Sequence, residues 1–212
     1  DETIVSVDAS TGALTVRKAG NVIITAKVAE DATHAAASTS YTVTVGQKQL
    51  EITGLTATNR TYELGNQSVT LTGGTLSGKV GEDDVSVTMP TTGTMTDAKV
   101  GDNKPVNVTT PPLTGTDAGN YTLKPISGIT VKIDQATPNV GTVSYTGSTI
   151  YTSTALSAIT LSMDGSAVGS GNLALTTGQT LTVGTNNYNW TFTPSDTTNY
   201  KTVTGTVSLT VT

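Results

Sequence analysis

Apolar and polar residues alternate with a period of two along nearly the whole chain. Val22, Ile24, Ala26 and Val28 fall on one side of an extended segment, with Ile23, Thr25 and Lys27 on the other. Val85, Val87 and Met89 alternate with Ser86 and Thr88, and Ile159, Leu161 and Met163 with Thr160 and Ser162. Tyr188, Trp190 and Phe192 alternate with Asn189 and Thr191. Successive side chains of a strand point to opposite faces, so this period predicts half-buried antiparallel strands. No stretch sustains a helical period with caps. The Ala-rich stretch 32–38 is too short to nucleate a helix in water and reads as a loop or single turn. Turn formers punctuate the strands at Asp8 to Gly12, Lys18 to Gly20, Gly73-Gly74, Gly81 to Asp84, Gly101 to Asn103, Asp164-Gly165 and Gly169 to Gly171. The pattern predicts an all-β chain.

A motif recurs within it. Asp117-Ala118-Gly119-Asn120-Tyr121 is echoed by Asp196-Thr197-Thr198-Asn199-Tyr200 and, more weakly, by Asp31-Ala32-Thr33-His34. An alternating strand follows each: Tyr41/Val43/Val45, Ile129/Val131/Ile133 and Val207/Leu209/Val211. Tyr121 precedes Leu123 as the corner tyrosine of immunoglobulin domains precedes a core cysteine. The repeated motif predicts tandem immunoglobulin-like β-sandwich domains over 1–46, 47–135 and 136–212. Tyr121 is then buried, its hydroxyl bonded to backbone a few residues upstream, and Asp117 caps the same turn. Trp190 and Phe192 share parity with Tyr188 and belong to a core rather than to an exposed platform. The joins Gly46 to Gln49 and Asp134 to Pro138 are short and hold no Gly/Ser run, which limits relative domain movement. Residues 1–46 supply fewer strands than the seven of a constant-type sandwich. Their uncovered apolar face predicts weak self-association through residues 1–46, or cover from the second segment.

Composition narrows the class. The chain of 212 residues has no cysteine, so each segment relies on its own core. Charged residues make up 13 % and the net charge is −5, which argues against nucleic acid and anionic membranes as partners. No apolar run is long enough to span a bilayer as a helix. No signal peptide or lipidation motif is visible, and Asp1-Glu2-Thr3 reads as the middle of a longer protein. Few charges, no cysteine and abundant threonine together suggest an extracellular, cell-surface or cell-wall location.

Three resemblances sharpen the expectation. Val5-Ser6-Val7-Asp8, Thr11 to Val16, Ala19 to Ala26 and Tyr41 to Val45 resemble the second half of the bacterial Ig-like group 2 family. The early strands and the tryptophan segment of that family have no counterpart here. Gly54 to Ala57, Thr61 to Gly65, Gly73 to Gly78, Asp83 to Val85, Lys104 to Val106 and Leu113 to Tyr121 resemble the YDG-type Ig-like repeats of bacterial surface proteins. The naming triplet is altered to Tyr62-Glu63-Leu64, with Gly65 one place late. Tyr145-Thr146-Gly147 and Trp190 to Tyr200 are similar to a further Ig-like repeat of such proteins. These resemblances imply a bacterial adhesion or stalk segment without catalytic activity.

Candidate chemistry is sparse. The single histidine, His34, sits in a polar loop, which is poor ground for a Ser–His–Asp arrangement. Glu82-Asp83-Asp84 is a run on one loop, not a pair of carboxyls facing across a cleft. It is also the best calcium candidate, but lacks the spacing of a calcium loop. An isopeptide crosslink needs a buried lysine, and Lys104, Lys124, Lys132 and Lys201 all read as exposed. The chain is therefore expected to have no catalytic, metal or cofactor residues. It is read as a non-catalytic surface segment that spaces or presents binding domains, with a host or cell-surface protein or glycan as partner. The alternative is an accessory carbohydrate-binding region of a large extracellular enzyme.

Overall fold

The computed structural model describes residues 1–166 and 169–212. Every long element is a strand, and the described residues contain no α-helix. The two helical pieces are single 3-10 turns, Ala118–Asn120 and Leu156–Ala158. The stretch 32–38 forms a loop that enters a strand at Ala37. The chain forms two compact units: Asp1–Ala57 with Thr70–Gly93 and Val106–Ile129, and Thr58–Val69 with Thr94–Pro105 and Thr130–Thr212.

The first unit begins with two antiparallel pairs. Val5–Val7 pairs with Leu14–Val16, and Gly20–Val28 pairs with Ala37–Val45 from Gly20↔Val45 to Val28↔Ala37. The turn of the first pair is set by Asp8, whose Oδ1 accepts from the N–H groups of Ser10 and Thr11 at 2.9 Å each. The Ser10 hydroxyl, which also donates to Oδ1 at 2.6 Å, and then these backbone bonds hold its pKa down to about 2. The alternation of the longer pair is expressed only at its Gly20 end. Val22 is buried there, whereas Val28 at the far end and Tyr41 are exposed, as is Ile23 (67 %) on the other face.

The same unit holds all but the ends of the sheet Tyr121–Leu123, Lys48–Ala57, Ser68–Ser77, Thr92–Thr94, in that spatial order. The first two strands run parallel, with Tyr121↔Lys48 and Leu123↔Leu50, and the next pair is antiparallel. Its core gathers Leu50, Val85 and Tyr121, with Leu76, Leu113 and Leu123 around them. Gly73-Gly74 is not the turn its composition predicts. Both residues lie inside Ser68–Ser77 at φ +76° and +94°. A Cβ on Gly73 would lie 2.6 Å from the Gly54 carbonyl oxygen, so the glycines bend a strand pair at close backbone approach.

The second unit contains the sheet Gly101–Pro105, Thr130–Asp134, Arg60–Thr61. Gly101 to Asn103, predicted as a turn, is the irregular start of the first of these strands. The register shifts between Gly101 and Lys104, and Asn103 takes a left-handed φ of +52°. Asparagine tolerates that region better than most residues. Lys104 departs from its expected exposure. Its side chain is 14 % exposed and its Nζ pairs with Asp97 at 2.6 Å.

A core of twelve buried residues lies in the same unit. Gly171–Leu175, Gly184–Pro194 and Val203–Val211 form an antiparallel sheet whose inward face carries Leu175, Tyr188, Trp190, Phe192, Val207, Leu209 and Val211. Trp190 and Phe192 are buried, as their parity predicts, and Phe192 is fully so at 0 %. Two glycines make room for these rings. Gly205 faces Trp190 across the sheet, and a Cβ there would meet the indole at 2.4 Å. A Cβ on Gly171 would meet Phe192 at 2.4 Å. Overpacked cores typically lose ~1–3 kcal/mol. Gly205→Ala is expected to cost about that much in urea unfolding followed by Trp190 fluorescence. An unchanged midpoint would mean that the ring does not need the gap.

Candidate functional site

Each copy of the Asp-x-x-Asn-Tyr motif lies beside one of the short joins, Gly46 to Gln49 or Asp134 to Pro138, called junctions below, so the residues around it form the candidate site. In the first compact unit, Tyr121 is buried as expected, but its hydroxyl does not bond nearby backbone. It donates to the Asp83 carboxylate and accepts the Val80 N–H at 3.1 Å, far upstream in sequence. The Asp83 bond, then burial, raises the pKa of Tyr121. Asp117 also departs from expectation. Its side chain makes no cap bond to the 3-10 turn Ala118–Asn120 that it precedes. Instead its Oδ2 accepts the Asp84 N–H at 2.8 Å. Asp84 reciprocates. Its Oδ2 accepts from the Thr116 N–H and Oγ1–H at 2.9 and 3.0 Å, and its carbonyl accepts the Asp117 N–H at 3.0 Å.

These bonds form a clasp between loops 80–84 and 114–121. Gly115 is required within it, because its φ is +111° and a Cβ would lie 2.2 Å from the Asp84 carbonyl oxygen. The carboxylates of Asp83 and Asp84, the calcium candidates, are engaged in this clasp, while Glu82 is exposed. No group of three or more His, Cys, Asp or Glu suited to a metal occurs among the described residues. His34 lies in an exposed loop with its Nδ1 3.1 Å from Asp31 Oδ1. Asp31 is not a third corner. It forms a local turn in which its Oδ1 accepts from the N–H groups of Thr33 and His34 at 2.8 Å each.

Asn120 faces the other way, toward residues 1–46. Its Oδ1 accepts the Ala19 N–H at 2.9 Å. Gln47 Nε2 donates to the Gly119 carbonyl at 2.9 Å, and Lys48 then pairs in parallel with Tyr121. A cleft of about 260 Å³ lies beside these bonds, with Arg17, Lys18, Lys48, Asp83 and Tyr121 in its wall.

The second compact unit holds the same arrangement. Asn199 is buried, and its Oδ1 accepts the Val100 N–H at 3.0 Å. Its Nδ2 donates to Asp196 Oδ2 at 2.7 Å, which lowers the pKa of Asp196. Gln135 Nε2 donates to the carbonyls of Thr197 and Thr198 at 2.8 and 3.3 Å. Ala136 then bridges in parallel to Tyr200. The Tyr200 ring meets Tyr62 edge-on, with centroids 5.2 Å apart.

Each junction therefore uses four matched parts. A residue just before a strand-opening glycine gives its N–H: Ala19 before Gly20, Val100 before Gly101. That glycine pairs with the residue two places before the glutamine: Gly20↔Val45 before Gln47, Gly101↔Ile133 before Gln135. The glutamine holds the carbonyl preceding the asparagine, and the residue after it pairs with the tyrosine. Sequence reasoning named the asparagines and tyrosines but gave Gln47, Gln135, Ala19 and Val100 no role. The signal lay in Lys18-Ala19-Gly20 and Lys99-Val100-Gly101, which match as triplets.

Residues 46–128 match the model of the YDG domain family. The matched range contains the clasp, Gln47 and the first Asp-x-x-Asn-Tyr motif. No curated protein and no solved structure matches the chain significantly. No helix among the described residues is long and apolar enough to cross a membrane.

Tyr121→Phe removes the hydroxyl that serves both Asp83 and Val80. It is expected to lower the melting temperature by about 4–8 °C, the usual yield of one lost kcal/mol in a domain of this size. An unchanged melting temperature would show the clasp to be dispensable. The clasp also predicts a pH dependence. Bonds from Thr116 lower the pKa of Asp84, and the Asn199 bond lowers that of Asp196. A carboxyl whose pKa is lower folded than unfolded contributes stability that is complete above the unfolded value of ~3.9 and is lost as pH falls through the folded one. The melting temperature is thus expected to hold steady above about pH 5 and to drop below about pH 4. Asp84→Asn is expected to lower it at neutral pH and to flatten the acid limb. An acid limb as steep as that of the parent would count against this role.

Proposed function

We propose that the chain is a non-catalytic spacer of a bacterial cell-surface adhesion or stalk protein, built of tandem Ig-like sandwiches that carry binding domains at a set distance. In this reading residues 1–46 are part of a group 2 bacterial Ig-like domain, 47–135 a YDG-type domain and 136–212 a third Ig-like domain. The observation that carries it is the repeated junction. Val45 and Ile133 are strand-paired, Gln47 and Gln135 are hydrogen-bonded, and Lys48 and Ala136 already pair with the next tyrosine. A flexible tether would leave several linker residues free, whereas these leave almost none. A module evolved to catalyse or to grip a small ligand has no need of such joins. The carbohydrate-binding alternative gains little from Trp190, since its ring is committed to the core.

Two measurements test the proposal. Dye pairs placed across each junction within its own compact unit, at Lys27 and Lys79 in the first and at Asp102 and Thr212 in the second, are each expected to give one narrow energy-transfer distribution by single-molecule fluorescence, insensitive to salt. A broad distribution would mean free joints and would contradict a spacer role. On a panel of immobilised glycans the chain is expected to show no retention, and specific retention would favour the carbohydrate-binding reading.

A further inference from the structure

The C-terminal sheet repeats part of the geometry of the two junctions. In Gly184–Pro194 and Val203–Val211 the first strand again opens on a glycine, and Gly184 pairs with Val211. This register repeats Gly20↔Val45 and Gly101↔Ile133. Val183 stands just before that glycine, where Ala19 and Val100 give their N–H groups to Asn120 and Asn199. Val183 is 71 % exposed, and its N–H meets no acceptor among the described residues. Thr212 follows Val211 as Gly46 follows Val45 and Asp134 follows Ile133.

We propose that the Val183–Gly184 end is a docking surface for a further β-sandwich repeat of the same kind, joined in tandem. That repeat would carry a glutamine two places after Val211 and an Asp-x-x-Asn-Tyr motif whose asparagine accepts the Val183 N–H. The occupant is defined by what fills the same geometry twice within this chain. A backbone N–H beside a strand-opening glycine receives an asparagine amide oxygen, and the glutamine sets that asparagine's position through the preceding carbonyl. The exposed Val183 side chain gives the arriving repeat an apolar contact beside the polar bond. This inference rests on the reading of the chain as tandem repeats and extends it to a surface that neither existing junction uses.

The test adds a second copy of residues 135–212 directly after Thr212. The added Gln135 then falls two places after Val211, the spacing of both existing junctions. Amide hydrogen exchange at Val183 is expected to slow by about tenfold or more relative to the unextended chain, because a latched N–H exchanges only when the junction opens. Two glycines inserted between Thr212 and the added Gln135 leave both sheets intact but shift the asparagine, and are expected to restore fast exchange. Asn199→Ala in the added copy alone is expected to do the same. A folded added copy with Val183 still exchanging as in the unextended chain would overturn the latch while leaving the spacer reading standing. An added copy that fails to fold would count against the repeat reading and with it the latch. Protection of Val183 that grows with concentration in the unextended chain would also overturn the proposal, by showing that a second molecule takes this end.

Discussion

An asparagine side-chain oxygen that accepts one backbone N–H from the preceding segment is the bond on which both junctions turn. Asn199 is buried, so its amide must be paired on both sides, and it is: Asp196 takes the Nδ2 donor and Val100 supplies the N–H. Losing either partner would strand a buried polar group, which costs more than a hydrogen bond is worth when made. The neighbouring bonds are weak singly, at roughly 1 kcal/mol each net. They share a geometry, however. The glutamine fixes the carbonyl before the asparagine, and the parallel strand start fixes the tyrosine after it. An asparagine held from both sides has little freedom to find another acceptor position.

The same economy shows within residues 80–121. With no cysteine in the chain, two loops are joined by carboxylates and a phenol instead of a disulfide. Asp84 and Asp117 each accept from the other's loop, and Tyr121 ties Asp83 to Val80. Charge-assisted bonds of this kind are stronger than neutral ones but depend on ionisation. A lock of this type therefore opens to acid and not to reductant. The apolar core around Trp190 and Phe192 works differently. It depends on ring volume matched by glycines at 171 and 205, and it leaves the Trp190 indole nitrogen buried without a partner among the described residues.

Strand content and the inward face of 184–194 were legible because period-two alternation maps directly onto a pleated sheet, and the burial of Tyr121 was legible from the corner motif. The match of residues 46–128 to the YDG family was legible in Gly54 to Ala57, Gly73 to Gly78 and Leu113 to Tyr121, the pieces on which the resemblance was read. Gly73-Gly74 and Gly101 to Asn103 misled, because glycine and asparagine mark positive φ wherever it occurs, inside a bent strand as well as in a turn. The corner analogy misled on Tyr121 and Asp117 because sequence shows which groups can bond but not which loop arrives beside them. The junctions were illegible for a related reason. Their donors are backbone N–H groups of Ala19 and Val100, which no side-chain pattern announces. Only the coincidence of Lys-x-Gly and a glutamine two places after the paired strand end hinted at them.

The account stands on the two latches being closed in solution, and amide exchange at Ala19 and Val100 tests this most directly. Both N–H groups lie outside regular strands, and among the described residues Asn120 and Asn199 are their only hydrogen-bond acceptors. The account predicts exchange as slow as in the paired strand residues next to them, and selective loss of that protection in Asn120→Ala at Ala19 and in Asn199→Ala at Val100. Exchange at both sites as fast as in an unstructured peptide, while the sheets stay protected, would contradict it.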